Sequence, residues 1–371
     1  MFSRRFILSL LGSLFFFLTA GKRSAMANIF FKPKKKMRPR IPPEPFIEGD
    51  KALVGVAGGA VNPVRSSPVG KQFAPIGNLP LSEEASNGVK EMIKEAVSLI
   101  GGFERLKLKG KTVLVKPNCV SGEKNPATTN PEVVKAVVEI LYEQEAKKVY
   151  VGDMSALATL STVRNMKRNG IKKAAEEAGA EVIVFEDYDW VEVELPGALY
   201  IEKAYVTEWI YNVDIIINLP VIKTHRSASY TITLKNFIGC THLKQRPYLI
   251  DSSHWEELIS EFNIAYRPDL NIVDGTVSMI EGGPWEGTPA DTNLIIASGD
   301  RVAADIVGLG IIKSFGKWKM VIEKDVWEQR QIKRAVELGL GKGKGNIKLI
   351  LGSGDKNFKE LMEKVRKETG L

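Results

Sequence analysis

Short, nearly continuous apolar runs alternate along this chain with longer stretches whose apolar positions recur every three or four residues. The short runs read as strands buried on both faces, and the longer ones as amphipathic helices. The predicted strands are Ala52–Ala57, Thr112–Asn118, Lys148–Asp153, Glu181–Phe185, Trp190–Leu195, Val213–Pro220, Leu270–Asp274, Thr292–Ser298 and Ile347–Gly352. Helical spacing covers Glu83–Ile100, Arg164–Ala178, Trp255–Ala265, Val302–Ile312, Trp327–Leu338 and Phe358–Glu368. Asn130 followed by Pro131 marks the start of a further helix, running to about Glu143. Tyr230–Phe237 is read as a short helix. Alternating β and α segments predict an α/β fold, a mostly parallel sheet covered by helices on both faces. Ligands of such sheets bind beyond the carboxyl ends of the strands.

The first fifty residues break this pattern. Arg4 and Arg5 precede an apolar run, and Ala25-Met26-Ala27 supplies small residues of the type found at cleavage sites. Residues 1–27 therefore read as a twin-arginine-like signal for an export machinery, with an N-terminal membrane anchor as the alternative. The expected location is periplasmic or otherwise extracytoplasmic. Residues 28–50 read as a basic, proline-rich linker, extended and solvated. Its cluster over residues 32–40 also suits contact with an anionic membrane surface. Residues 51–371 form the α/β domain, in one or two lobes.

Charge changes the picture only through its distribution. The formal net charge is +8, but residues 1–40 hold ten Lys or Arg and no acid. The rest of the chain has 42 basic residues against 44 acidic ones, from totals of 52 and 44. The domain is near neutral, which argues against a nucleic-acid surface.

Chemistry collects at the predicted strand exits. Lys116 and Asn118 follow one strand, Asp153 the next, Lys223-Thr224-His225 the strand over residues 213–220, and Asp274 another; Asp300 reads as a helix cap. Lys235 and Asn236 follow in the same segment as His225. The lysines suit an anionic small molecule. His225, Asp153 and Asp274 are the candidate acid/base groups, and Lys116, Asn118, Lys223, Thr224, Lys235 and Asn236 the candidate ligand-binding ones. His225, Cys240 and His242 are candidate metal ligands, although Cys-Thr-His is not a standard zinc spacing. The cofactor is left open, a metal ion being one reading. Two cysteines, Cys119 and Cys240, cannot make a self-contained four-cysteine iron–sulfur cluster; buried thiols or one disulfide are the readings left.

The motifs "VLVKPN", Gly152-Asp153, "NLPVIKTH" with "TLKNFIG", and "DGTVSMIEGGPWEGTP" followed by "IIASGDRVAADIVG" resemble, in that order, the DUF362 family of bacterial and archaeal proteins of unknown function. The resemblance spans most of residues 52–315. It implies that these segments share one domain, and it implies no reaction. Two functional classes follow: an exported enzyme acting on an acidic small molecule, or a non-catalytic protein that binds or carries an anionic ligand, cofactor or metal.

Overall fold

The computed structural model describes Pro33 and residues 35–59, 83–156 and 161–371. The signal segment, Arg4-Arg5 and "AMA" included, lies outside the described residues. An eleven-stranded sheet organises the domain. Its main path, in spatial order, is β14 (Ile347–Leu351), β3 (Lys51–Gly58), β13 (Gly287–Ser298), β12 (Leu270–Gly282), β9 (Ile215–Leu219), β4 (Thr112–Pro117), β5 (Lys148–Asp153) and β6 (Glu181–Val184). Off this path, β10 (Val221–His225) pairs with β12 and with β11 (Ser229–Thr231), and β2 (Ile47–Glu48) pairs with β3.

The sheet is mixed. β9, β4, β5 and β6 are parallel, as are β12 with β9 and β14 with β3, but β13 runs antiparallel to both its neighbours. Its exit, with Asp300, therefore lies at the opposite edge. There Asp300 caps a helix by accepting from Ala303 N at 2.9 Å.

Strand alternation divides the core. Val113, Val115, Ile215 and Ile217 point to one face, covered by α1 (Glu83–Ser98), α2 (Pro131–Glu143), α3 (Thr162–Asn169) and α4 (Ile171–Glu177). Leu114 and Ile216 point to the other face. Its cover includes α5 (Thr233–Asn236), α7 (Trp255–Phe262), α8 (Arg301–Ser314), α10 (Arg330–Glu337) and α11 (Lys356–Thr369); the one-turn helices α6 (Pro247–Ile250) and α9 (Lys319–Ile322) lie between these in the chain. The expected single helix over residues 164–178 is two helices. Gly170 between them has φ +93°, a conformation that side-chain-bearing residues rarely adopt.

Three differences from the sequence reading matter for the site. Lys223-Thr224-His225 is not a loop beyond a strand. The chain steps aside at Pro220 and continues as β10 along the same neighbour, β12, with Lys223 opposite Met279. Asp274 is not at a strand exit either, because β12 runs on past it to Gly282. Residues 35–48, expected as a solvated linker, pack on the domain. β1 (Lys35–Met37) pairs with β7 (Trp190–Glu194), which pairs with β8 (Lys203–Thr207) in a small second sheet. Arg40 reaches Asp269 at 3.1 Å, and Phe46 is buried. These long-range partners outweigh the local preference of a Pro- and Lys-rich segment for solvent.

Candidate functional site

The last residues of β4 and β5, together with β10 and α5, meet at the carboxyl edge of the parallel strands. Lys116 follows Leu114 by two positions and so faces the side covered by α5. It is 1 % exposed, and its ammonium sits 2.7 Å from Asp153 Oδ1, an ion pair off the hydrogen-bond direction. It also donates to Pro117 O at 2.8 Å and to Asn236 Oδ1 at 3.4 Å. The other oxygen of Asp153 accepts from Cys119 N at 2.7 Å. Gly239 packs against this pair so closely that a Cβ there would stand 2.0 Å from Asp153 Oδ1.

Asn236 is the hub of the next layer. Its carbonyl oxygen accepts from Asn118 Nδ2 at 3.0 Å, and its amide nitrogen donates to Asn218 Oδ1 at 2.8 Å. Asn218 passes the chain on to Asn271 at 2.9 Å. Lys223 is fully buried and donates to Asn118 Oδ1 at 3.1 Å, to Pro284 O at 3.1 Å and to Ala127 O. An ammonium has three N–H bonds; Lys223 spends all three, and Lys116 spends two while Asp153 pairs its charge. They brace the site.

Lys235 is different. It is partly exposed, and among the described residues its ammonium has no hydrogen bond or ion pair. Burial, then the nearby Arg246 guanidinium, lowers it from the ordinary 10.5 to about 7. α5 holds it in place. Asp305 of α8 accepts from Thr233 N at 2.7 Å, Thr233 Oγ1 at 2.5 Å and Leu234 N at 3.3 Å, tying down the start of that helical turn. Burial raises the Asp305 carboxyl to about 7.

His225 Nδ1 accepts from Ser227 N at 3.1 Å and Ala228 N at 3.2 Å. The neutral ring therefore carries its proton on Nε2, which has no partner among the described residues. Burial, then Lys235 and Lys223, pushes its pKa well below 6.5. The imidazole is neutral near pH 7 and offers an N–H donor, with no carboxylate behind it among the described residues. Arg246 is a member of the cluster that sequence reasoning missed. It is buried, donates to Ile238 O and at 3.4 Å to Ser155 O, and leaves Nε without a partner among the described residues. Only Pro247 after it flags the position, which is a turn signal and not a site signal.

The remaining candidates fall around this cluster or away from it. Cys119 and Cys240 are buried free thiols, each in electrostatic reach of Lys116 and Asp153. Burial pushes both up to about 12, so both are protonated and inert. Thr224 alternates to the opposite side of β10 from Lys223 and His225, and its hydroxyl is buried with no partner among the described residues. Asp274 accepts from Asn125 Nδ2, Asn130 N, Thr276 N and Thr276 Oγ1 at 2.7–3.0 Å. It fixes the loop over residues 125–130 that supplies Ala127 O to Lys223. His242 caps a short turn through Lys244 N and packs edge-on against Trp190, 5.0 Å between rings. His225, Cys240 and His242 do not form a ligand set: among the described residues no group of three or more His, Cys, Asp or Glu is placed to hold a metal ion.

A cleft of about 620 Å³ opens at the amino edge of the sheet, beside Glu44, Arg267 and Arg301. There Arg267 and Glu44 pair at 2.9 Å.

Residues 113–310, which carry β4 through most of α8 and all the cluster residues, match the family model described as a domain of unknown function, DUF362. The chain belongs to the DUF362 family. A thylakoid-associated protein of Synechocystis sp., sll1697, is 28 % identical over 227 residues, covering 58 % of this chain and 67 % of that one. The lactate racemase apoprotein from Thermoanaerobacterium thermosaccharolyticum gives a distant likeness at TM-score 0.31 and 12 % identity, covering 75 % of this chain and 84 % of that one. At that distance the likeness bears on neither activity nor site. Among the described residues of this DUF362 chain no helix is long and apolar enough to cross a membrane.

Proposed function

We propose that this DUF362 protein is an enzyme that binds a small acidic molecule at the crevice between β10, α5 and the segment carrying Arg246. The reading rests on one observation. Lys235 lies in electrostatic reach of both Lys223 and Arg246, and none of the three makes an ion pair among the described residues; Asp153, the carboxylate within reach of both Lys223 and Arg246, is paired with Lys116. Buried cations without anions are costly, and an incoming carboxylate or phosphate would offset that cost. Lys235 Nζ, His225 Nε2 and Arg246 Nε are the donors left open to it. With Lys223 spent on neutral acceptors and His225 blocked at Nδ1, Lys235 takes the acid/base role expected of His225.

A non-catalytic binding or carrier role is the second reading. It is favoured by the way backbone N–H groups hold His225, which leaves that ring no poised base. Thermal denaturation with added oxalate, pyruvate or inorganic phosphate tests anion binding itself. At least one should raise the melting midpoint of the wild type and leave Lys235→Met unmoved. No shift with any of them, or equal shifts in both proteins, would overturn the reading. We also propose that the chain is exported, on the strength of Arg4-Arg5, the apolar run after them and Ala25-Met26-Ala27. The thylakoid association of its relative is compatible with that.

A further inference from the structure

Lys235 stands apart from the other amines of the site. Lys116 and Lys223 are locked by three contacts each, and an amine so held cannot turn toward a reactant. Among the described residues Lys235 has none of these contacts, keeps some exposure and is positioned only through its neighbours Thr233 and Leu234, which Asp305 ties down. Two groups in its electrostatic reach have complementary uses. The Arg246 guanidinium, which donates to Ile238 O and Ser155 O and keeps Nε open among the described residues, suits a carboxylate, and the neutral His225 ring presents an Nε2–H suited to a carbonyl oxygen.

We propose that Lys235 forms an imine with a small 2-oxo acid, with Arg246 holding the carboxylate and His225 Nε2 the carbonyl oxygen. The inference rests on the acidic-molecule reading above and names its substrate class and reacting atom. The uncharged Nζ attacks the carbonyl carbon, and the carbonyl electron pair moves to oxygen, which takes up a proton. The carbinolamine then loses that oxygen as water while nitrogen gives up its proton. Amine and carbonyl become imine and water, with no oxidant or reductant consumed. The amine can act near neutral pH because its surroundings lower it to about 7 from 10.5. Relative to an ordinary lysine, that separation leaves on the order of a thousandfold more free amine at pH 7.

The test is reductive trapping of the full-length protein. Glyoxylate, pyruvate and 2-oxoglutarate are each added with cyanoborohydride at pH 7, and the modified lysines are located by peptide mass spectrometry. The melting midpoint with each acid is measured in parallel. A single adduct on Lys235 is expected with at least one acid, saturating with its concentration. Lys235→Arg keeps the charge and should still respond to the acid in the melting assay while forming no adduct. A melting shift without a Lys235 adduct for any acid would overturn the imine and leave the anion site standing. Neither shift nor adduct would overturn both. Labelling spread over exposed lysines with no excess at Lys235, or an undiminished adduct in Lys235→Arg, would also overturn the imine.

Discussion

Lys116 and Lys235 lie in the same cluster, and the structure gives them opposite roles that stability measurements separate. Asp153→Asn is nearly isosteric and removes one charge from the pair formed at 2.7 Å between side chains 1 % and 3 % exposed. At an effective dielectric constant of about 20, two unit charges at that distance attract by about 6 kcal/mol. Part of this is offset because the buried carboxylate no longer has to be desolvated. Removing one partner of a buried pair leaves the other charge uncompensated, and the net loss is typically about 3–5 kcal/mol. Here the stranded Lys116 ammonium would also face Lys223, which it already opposes electrostatically, so the upper half of that range is expected. The assay is urea unfolding followed by tryptophan fluorescence, comparing midpoints at unchanged slope. Lys116→Met with Asp153→Leu removes both charges and should recover much of the loss. A loss below about 1 kcal/mol for Asp153→Asn, typical of an exposed pair, would refute the claim that this ion pair braces the site.

Other changes give equally definite outcomes. Lys235→Met should leave the melting midpoint unchanged or raise it, since it removes a cation whose charged form is disfavoured in the fold; a clear drop by calorimetry would contradict the assigned role. Gly239→Ala forces a Cβ to within 2.0 Å of Asp153 Oδ1 and should cost about 1–3 kcal/mol in the same unfolding assay. Lys replacing both Arg4 and Arg5 should trap the precursor inside the cell, as read by fractionation, and unchanged export would show that the twin-arginine reading is wrong.

Much of this was legible before the fold was known. Short, nearly continuous apolar runs located β4, β5 and β9, and the parallel-sheet rule pointed to Lys116, Asp153, Lys223, His225 and Asp274 at one edge, of which Lys116 and Asp153 lie at strand ends there while Asp274 lies inside β12. The limits were those of local signals. Pro220 ends an apolar run, yet the chain only sidesteps there, because β12 is long enough to pair with β9 and then with β10. The direction of β13 is set by its hairpin with β12, so Asp300 was legible as a cap but not as lying at the far edge. Lys223 and Lys235 look alike in sequence. Only the positions of Asn118, Ala127 and Pro284, far apart along the chain, make one satisfied and leave the other free. Arg40 is likewise pinned by Asp269, more than two hundred positions away, which no window of residues reveals.

The central claim is that an anion binds by restoring the proton, and so the charge, on Lys235. Its folded-state value is lowered to about 7, so above that pH the amine is mostly neutral, and an ordinary lysine would not be until about 10.5. Titration calorimetry of oxalate, which has no ketone for the amine to attack, at pH 8 in buffers of different ionisation enthalpy counts protons directly. Uptake approaching one proton per anion bound is expected, with affinity falling as pH rises through 7 to 9, and with both effects lost in Lys235→Met. Binding without proton uptake, or uptake that persists in Lys235→Met, would contradict the account.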